Sequence, residues 1–529
     1  MDRTTPHDDL LFINQANTIL SRHWLGDYNQ MTLIKGQFYP LFIALSYWLN
    51  IPLLAAQQLL YALASLVTIW AVYPLIRQKW PLYLLFLFLL LSPFSYNYPA
   101  IGRVFRLAIY GPLGLLTLSC LLGLLVRSRQ SVKNAALWSV GAGLFLAAFW
   151  NTREESIWIA PSIVLLLAFA FYQLRRLPRS RALLLAGLYL LPLVMLWGAN
   201  LTLERLNQKY YGIPASIELE TPEFKAAYGG LLRIKSDKWR QYFPVVRDVR
   251  EKAYAVSPAF RELQPFLDGP LGQEWQRMSG SDDLPAAFFI WVFRDSVAAA
   301  GYHQDGPRTL AFYQKMGDEI DQACEEGKLA CSPRLTSLVP TWHREFNALL
   351  LPTYFSVIRK IISFSDATAD TDGFKSTAPW EILQRFEIVT RERVLSPKPQ
   401  SMRLNEPDYD SHLNKEKSRI LTALGTAYRV MIPPLFLLAF ATFLVIGGRS
   451  IMRRELRLFT VAGAAALSGI LAIAFILTLV AITSYSEIGR AMHAAYPMVL
   501  LFIVTVILDV LSRIAPRDTS VAEPPITAW

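Results

Sequence analysis

Residues 458–482 read LFTVAGAAALSGILAIAFILTLVAI, twenty-five residues without one charged side chain, preceded by Arg453, Arg454 and Arg457. A bilayer core about 30 Å thick is crossed by roughly 20 apolar residues of helix. In lipid the backbone must satisfy its own hydrogen bonds, so such a run is a helix. Eight further runs of this kind lie near 53–76, 81–95, 107–126, 135–150, 156–174, 182–202, 427–448 and 496–512. The second is short, with Pro93 at its end. The expectation is an all-α polytopic membrane protein of about nine transmembrane helices. Composition agrees: of 529 residues 53% are hydrophobic, 13% aromatic and only 18% charged.

The net charge of +11 invites a nucleic-acid reading, but its distribution argues for topology instead. Lys and Arg gather in alternate short loops: Arg77 and Lys79; Arg127, Arg129 and Lys133; Arg175, Arg176, Arg179 and Arg181; Arg449, Arg453, Arg454 and Arg457; Arg513 and Arg517. The positive-inside rule makes these loops cytoplasmic. The short loops on the opposite side hold only Arg103, Arg106, Arg153 and Arg490. No nucleic-acid partner is expected.

This reading divides the chain into four parts. Residues 1–203 form an N-terminal membrane domain, with a first external loop (1–52) and six spans. Residues 204–425 form a mainly helical extracytoplasmic domain, 426–514 three more spans, and 515–529 a cytoplasmic tail. An external N-terminus has nothing before it to carry it across, and Met1 to Asp9 is too short and polar for a signal peptide. The expectation is one more helix upstream; counting it, the large domain is inserted between spans seven and eight. Residues 10–25 and 38–49 are apolar at helical spacing but too short to span, and read as helices on the membrane surface. Loops are expected at 364–376 and 395–412.

Cys324 and Cys331, in CEEGKLAC, fall in the domain assigned outside the cytoplasm, where thiols are usually oxidised. Gly327 lets the intervening loop close, and a disulfide is expected. Cys120 lies in a span and reads as inert packing. His23, His303, His343 and His412 show no ligand spacing and read as structural.

The residues that can carry chemistry sit at span ends. Asp8 and Asp9, after His7, are either polar caps on the helix that starts near Leu10 or carboxylates available as a general base. Thr152-Arg153-Glu154-Glu155 forms a short connection between spans, and ionisable groups at the lip of the bilayer default to function unless they pair. Lys35, Arg103, Arg106 and Arg490, with His493 one turn from Arg490, break the charge bias of their side. Guanidinium forks match phosphate oxygens, so a lipid phosphate is a natural ligand; pairing with Asp8, Asp9, Glu154, Glu155 and Glu487 is the bland alternative. No Gly-rich phosphate loop, Ser-His-Asp pattern or zinc motif is present.

The order of these features resembles the GT-C superfamily of membrane glycosyltransferases, which includes protein O-mannosyltransferases and the aminoarabinose transferase acting on lipid A. An acidic pair opens the first external loop (HDDLLFINQANTILSRHWLGDY, 7–28). A lysine-led motif follows (TLIKGQFYPLFIALSYWLNIP, 32–52), then the TREE connection (152–155) and GRAMHAAYP (489–497). In that superfamily a first span precedes the acidic motif; here it is missing, in keeping with an upstream helix. The resemblance covers 1–175 and, more weakly, 485–500.

What the resemblance implies is a GT-C-like fold in a bacterial plasma (inner) membrane, with the large domain periplasmic. The implied activity is an inverting transfer of a hexosyl or pentosyl group from a polyprenyl-phosphate-linked sugar to a hydroxyl on a cell-envelope glycan, lipid or protein. Asp8 or Asp9 would be catalytic. Lys35, Tyr39, Arg103, Arg106, Arg153, Glu154, Glu155, Arg490 and His493 would bind substrate. A divalent cation held by Asp8, Asp9 and Glu154 is a possible cofactor. The alternatives are a transporter or flippase of lipid-linked saccharides, with its ionisable residues in mid-span, and a non-enzymatic envelope assembly protein.

Overall fold

The computed structural model describes residues 8–97, 101–175, 177–334, 338–365, 367, 378–394, 412–484 and 488–514, without the side chains of 412–415. Most of the two expected loops at 364–376 and 395–412 lies outside the described residues, as do the tail 515–529, His7 and Glu487. Two short helices, α1 (Asp8–Leu20) and α2 (Phe38–Trp48), come first. Then follow α3 (Leu53–Val72), α4 (Trp80–Leu90), α5 (Leu107–Arg127), α6 (Val132–Trp150), α7 (Ala160–Leu174) and α8 (Arg179–Tyr211). The inserted region holds α9 (Pro222–Arg233), α10 (Arg247–Val256), α11 (Pro270–Ser279), α12 (Ala286–Ala299), α13 (Gly306–Glu325), α14 (Glu345–Ser363) and α15 (Trp380–Thr390), with shorter turns between them. The chain ends on α16 (His412–Met452), α17 (Leu458–Thr483) and α18 (Tyr496–Ile514). Among the described residues there is no strand, only isolated bridges. The protein is an all-α polytopic membrane protein.

Among the described residues eight helical segments are long and apolar enough to cross a membrane, built on α3, α5, α6, α7, α8, α16, α17 and α18. The ninth expected span, 81–95, does not form one: α4 stops at Leu90, followed by a short 3₁₀ turn at Pro93–Ser95. Eleven helical residues rise only about 16 Å. The chain nevertheless has to return across the bundle here, because α3 and α5 run parallel. Thr68 meets Ser119 at 2.8 Å, and further along both helices Arg127 donates to the carbonyls of Trp70 and Ala71. Irregular backbone at that depth survives where protein covers it. Ser92 is fully buried, and Tyr61 bonds both its hydroxyl and the Leu89 carbonyl.

Helix α5 is apolar all round, and every residue of it is buried, which makes it the axis of the bundle. Gly123 is what lets α6 lie against it: a Cβ there would stand 2.1 Å from the Trp138 ring. At the arginine-rich end, Arg129 bonds Gln173 and Arg181 reaches the Ser128 carbonyl, so the loops 127–131 and 173–181 adjoin. The opposite end carries α1, α2 and the insert.

Two buried cores divide the molecule. The second is built from residues 211–329 together with Ile19, Leu25, Leu33 and Ala44 of the first loop. Residues of α14 and α15, although inside 204–425, bury Val357, Ile361, Leu383 and Phe386 in the first core with the membrane helices. The globular unit is therefore shorter than the sequence suggested. Its border is stitched by Cys324–Cys331, a formed disulfide with Cα atoms 5.7 Å apart. Beside it the Lys235 amide donates to the Ala330 carbonyl and the Ser332 amide to Arg233.

Candidate functional site

Four chain segments meet at the insert-bearing end of the bundle: the start of α1, the loop 32–37, the approach 103–106 to α5, and the turn 151–155 between α6 and α7. The loop and the turn touch through backbone. The Phe38 amide donates to the Asn151 carbonyl at 3.0 Å, and a Cβ on Gly36 would lie 2.3 Å from that same oxygen. Only glycine allows this approach, which explains its place immediately after Lys35.

The ionisable side chains brought together here form ion pairs. Lys35 Nζ donates to Asp8 at 2.5 Å. Arg103 grips Asp9 with two bonds, one from Nε at 3.0 Å and a shorter one from Nη2. Arg106 Nη1 donates to Glu154 at 2.7 Å and to the Thr152 carbonyl at 3.0 Å. Arg153 pairs with Glu155 in the same turn. Neither aspartate is simply a helix cap: both open α1, and both carboxylates reach across to cations.

Exposure separates these groups. Asp9 is completely buried, and the Lys35, Arg103 and Arg106 side chains are each below a tenth exposed, whereas Asp8 and Glu154 are about a third exposed at 31% and 32%. The site is thus a buried layer of cations with two carboxylates at its mouth. Burial, then the neighbouring Arg106, depress the Lys35 ammonium below the usual lysine range, against the pull of Asp8 and Glu154. Burial alone would raise the Glu154 carboxyl, but Arg106, with help from Arg153 and Lys35, overrides it and holds it at about 2. These mutual influences tie Asp8, Lys35, Arg106 and Glu154 into one electrostatic unit.

Other expected site residues take different places. Tyr39 is fully buried, accepts a bond from Gln57 at 2.9 Å and stands edge-on to Phe12, so it supports the site from beneath and has no surface for a substrate. His493 is buried with its ring 4.0 Å from that of Phe94, because the flat ring fills the space where α4's return meets α18. Arg490 is exposed on the short helix Gly489–Met492, and the four ion pairs form without it. Asp8, Asp9 and Glu154 do not gather as a metal ligand set. Each is matched to its own cation, and among the described residues no three His, Cys, Asp or Glu groups lie close enough to hold a metal.

The insert contributes residues that sequence reasoning missed. Trp291 of α12 stacks over Lys35, whose Nζ lies 5.1 Å from the ring centre. Arg294, one turn on, bonds Glu218 and the Gln30 carbonyl. Tyr28 donates to Glu218 at 2.8 Å, and His303 lies 3.4 Å from it. The signal was present in FFIWVFRDSV (288–297): an Arg-Asp pair inside an apolar helix implies partners for a buried charge. A separate surface cavity of about 680 Å³ borders Ser418, Arg419, Thr422, Ala423 and Thr426 on α16, none of which takes part in the ion-pair layer.

No protein-family model and no curated protein matches the chain. Two solved structures resemble it, ArnT from Cupriavidus metallidurans in the apo state and the same protein bound to undecaprenyl phosphate. Each is 14% identical, with a TM-score of 0.29, over 96% of this chain and 74% of the other. Similarity at this level says nothing about donor, acceptor or reaction.

Proposed function

We propose that this chain transfers a sugar from a polyprenyl-phosphate-linked donor to an acceptor hydroxyl at the membrane surface, as the GT-C enzymes it resembles in sequence do. The observation that carries the reading is the convergence of Asp8, Lys35, Arg103, Arg106 and Glu154 from distant segments onto one end of the bundle. A mid-span carrier would hold its ionisable groups deep between the helices, and these lie at helix ends.

The exposures divide the labour. Asp9, sealed by Arg103, fixes that guanidinium in place. Asp8 is the carboxylate that can reach a substrate, and it acts as the general base. In the transfer, the acceptor oxygen bonds to the anomeric carbon while the bond from that carbon to the phosphate oxygen breaks. The hydroxyl proton goes to Asp8, and the leaving polyprenyl phosphate keeps the electron pair. Lys35 and Arg106 neutralise the departing phosphate, a kind of stabilisation that is often the largest single contribution. An arriving phosphate competes with Asp8 for Lys35, and losing that partner makes Asp8 more basic. Glu154 steers the sugar or the acceptor at the mouth. No step is routed through a metal ion, since the carboxylates are not assembled to hold one.

On this reading the site faces away from the arginine-rich loops, which the positive-inside rule assigns to the cytoplasm. In a bacterial inner membrane, transfer then takes place on the periplasmic side, with an envelope glycan, lipid or protein as acceptor. The test is release of polyprenyl phosphate from radiolabelled polyprenyl-phosphate hexoses and pentoses by the purified chain in lipid nanodiscs with envelope extract. Asp8→Asn should abolish release and Arg240→Ala, which breaks only an exposed pair with Asp282, should not. Equal turnover in Asp8→Asn, or no turnover with any such donor, would defeat the proposal.

A further inference from the structure

We infer that Arg294 and Glu218 are positioning residues for the site, because their buried ion pair sets the place of Lys35 from within the inserted domain. The inference rests on the reading of Lys35 as the phosphate-facing cation. Lys35 is the centre of a short segment attached to the insert on both sides. Two residues before it, the Leu33 carbonyl accepts the Glu218 amide at 2.9 Å. Two residues after it, Gln37 donates to the Ser216 carbonyl through a short bond. Further back in the loop, Gln30 gives its carbonyl to Arg294 Nε at 3.0 Å, and Tyr28 donates to the Glu218 carboxylate. Trp291, on the same helix as Arg294, covers the ammonium. The turn 214–220 and α12 together therefore form a mould around residues 28–37.

The chemistry of the pair supports more than a stabilising role. Both side chains are within 1% of complete burial. Taking two charges out of water offsets most of their attraction, and apolar residues of similar volume usually stabilise as well or better. The best-attested use of such a pair is to impose one register. Arg294 suits that use: its fork bonds both Glu218 oxygens and a backbone carbonyl at once, which fixes direction as well as distance. The register it fixes is that of the loop presenting Lys35. Whatever binds or shifts α12 is thereby felt at the ion-pair layer.

Lys35 chemistry can be read without any sugar donor, by reductive methylation of the full chain in nanodiscs with isotopic formaldehyde, followed by mass spectrometry of the Lys35 peptide between pH 6 and 10. In the native chain Lys35, 8% exposed, should react slowly, with a midpoint below that of surface lysines. The apolar pair Glu218→Leu with Arg294→Met should keep the fold and the Cys324–Cys331 bond. It should nevertheless raise the limiting Lys35 rate at high pH, through greater exposure, and move the midpoint up toward an ordinary lysine by about one pH unit, a tenfold drop in free amine below the midpoint. Arg294→Lys should fall between the two. Arg250→Met, in the separate buried network of Arg250 with Asp268 and Asp283, should lower stability without moving Lys35. A Lys35 profile unchanged in the apolar pair, or shifted as far by Arg250→Met, would overturn the inference. Failure of Asp8→Asn to abolish transfer would instead defeat the proposed activity and leave this result standing.

Discussion

Asp8 and Asp9 stand side by side in the chain but face different surroundings, and substitution should separate them. Asp9→Asn takes a carboxylate away from the buried Arg103 guanidinium, a loss of about 3 kcal/mol for a sealed pair. Thermal unfolding in detergent should show a clearly lowered midpoint. Asp8→Asn removes a carboxylate that is a third exposed, and Lys35, unlike Arg103, can shed its proton, so the midpoint should move less than for Asp9→Asn while transfer disappears. The reverse pattern would mean that the roles have been exchanged. Gly36→Ala belongs to the same scale: its methyl would drive into the Asn151 carbonyl, parting Lys35 from the TREE turn, and should cost both activity and stability. The acidic pair, Lys35 and the TREE turn were legible in the sequence as charges at span ends. The difference between the two aspartates was not, because adjacent identical residues carry no sign of which one the fold will cover. Nor was the burial of Tyr39 and His493, since an aromatic ring fits a core as readily as a binding surface.

The helices obey simple patterns, and their failures have physical causes. α4 was read as a span from its apolar letters, but Ser92 and Pro93 end it, and protein around it replaces the missing helical bonds. α8 ends where Gly212 takes a left-handed conformation with φ of 71°, a stop that its sequence announces. α12 and the turn before α9 define an acid-sensitive element. Burial holds the His303 imidazole below its ordinary value, against the attraction of Glu218. Burial also works against the Glu218 carboxylate, yet Arg294 and His303 hold it down at about 2. Both depressions act in one direction. As pH falls below about 6.5 the unfolded chain protonates its histidine while the folded insert resists. Below about 4.5 the same happens at the carboxylate, and that contribution is gone near pH 2. Resistance of the insert to protease should therefore decline in two stages on acidification, and His303→Gln should shrink the first. A profile flat from pH 7 to 5 in the native chain, or the same decline in His303→Gln, would contradict this.

At the scale of the whole molecule, one end of the bundle is rich in arginine and the other carries the insert, α1, α2 and the ion-pair layer. If the arginine-rich end is cytoplasmic, a cysteine placed at Lys238 in a chain otherwise free of cysteine should react with a membrane-impermeant maleimide in spheroplasts. One placed at Arg129 should react only after lysis, and the opposite result would invert the topology. Removing the disulfide by Cys324→Ser should lower the insert's stability by about 2 kcal/mol, from the entropy of a small closed loop, measurable as an earlier denaturant midpoint for its proteolysis. The membrane class, the positions of the eight spans among the described residues, the charge asymmetry and the cysteine pair were all determined by the sequence alone, because length, hydrophobicity and net charge act locally and need no partner. The tertiary structure alone decided that the insert's core closes over residues of the first loop, that α14 and α15 join the membrane core, and that Arg294 reaches Gln30 across 264 positions. Those outcomes depend on which surfaces meet, and a buried charge reveals its partner only when the chain has folded around it.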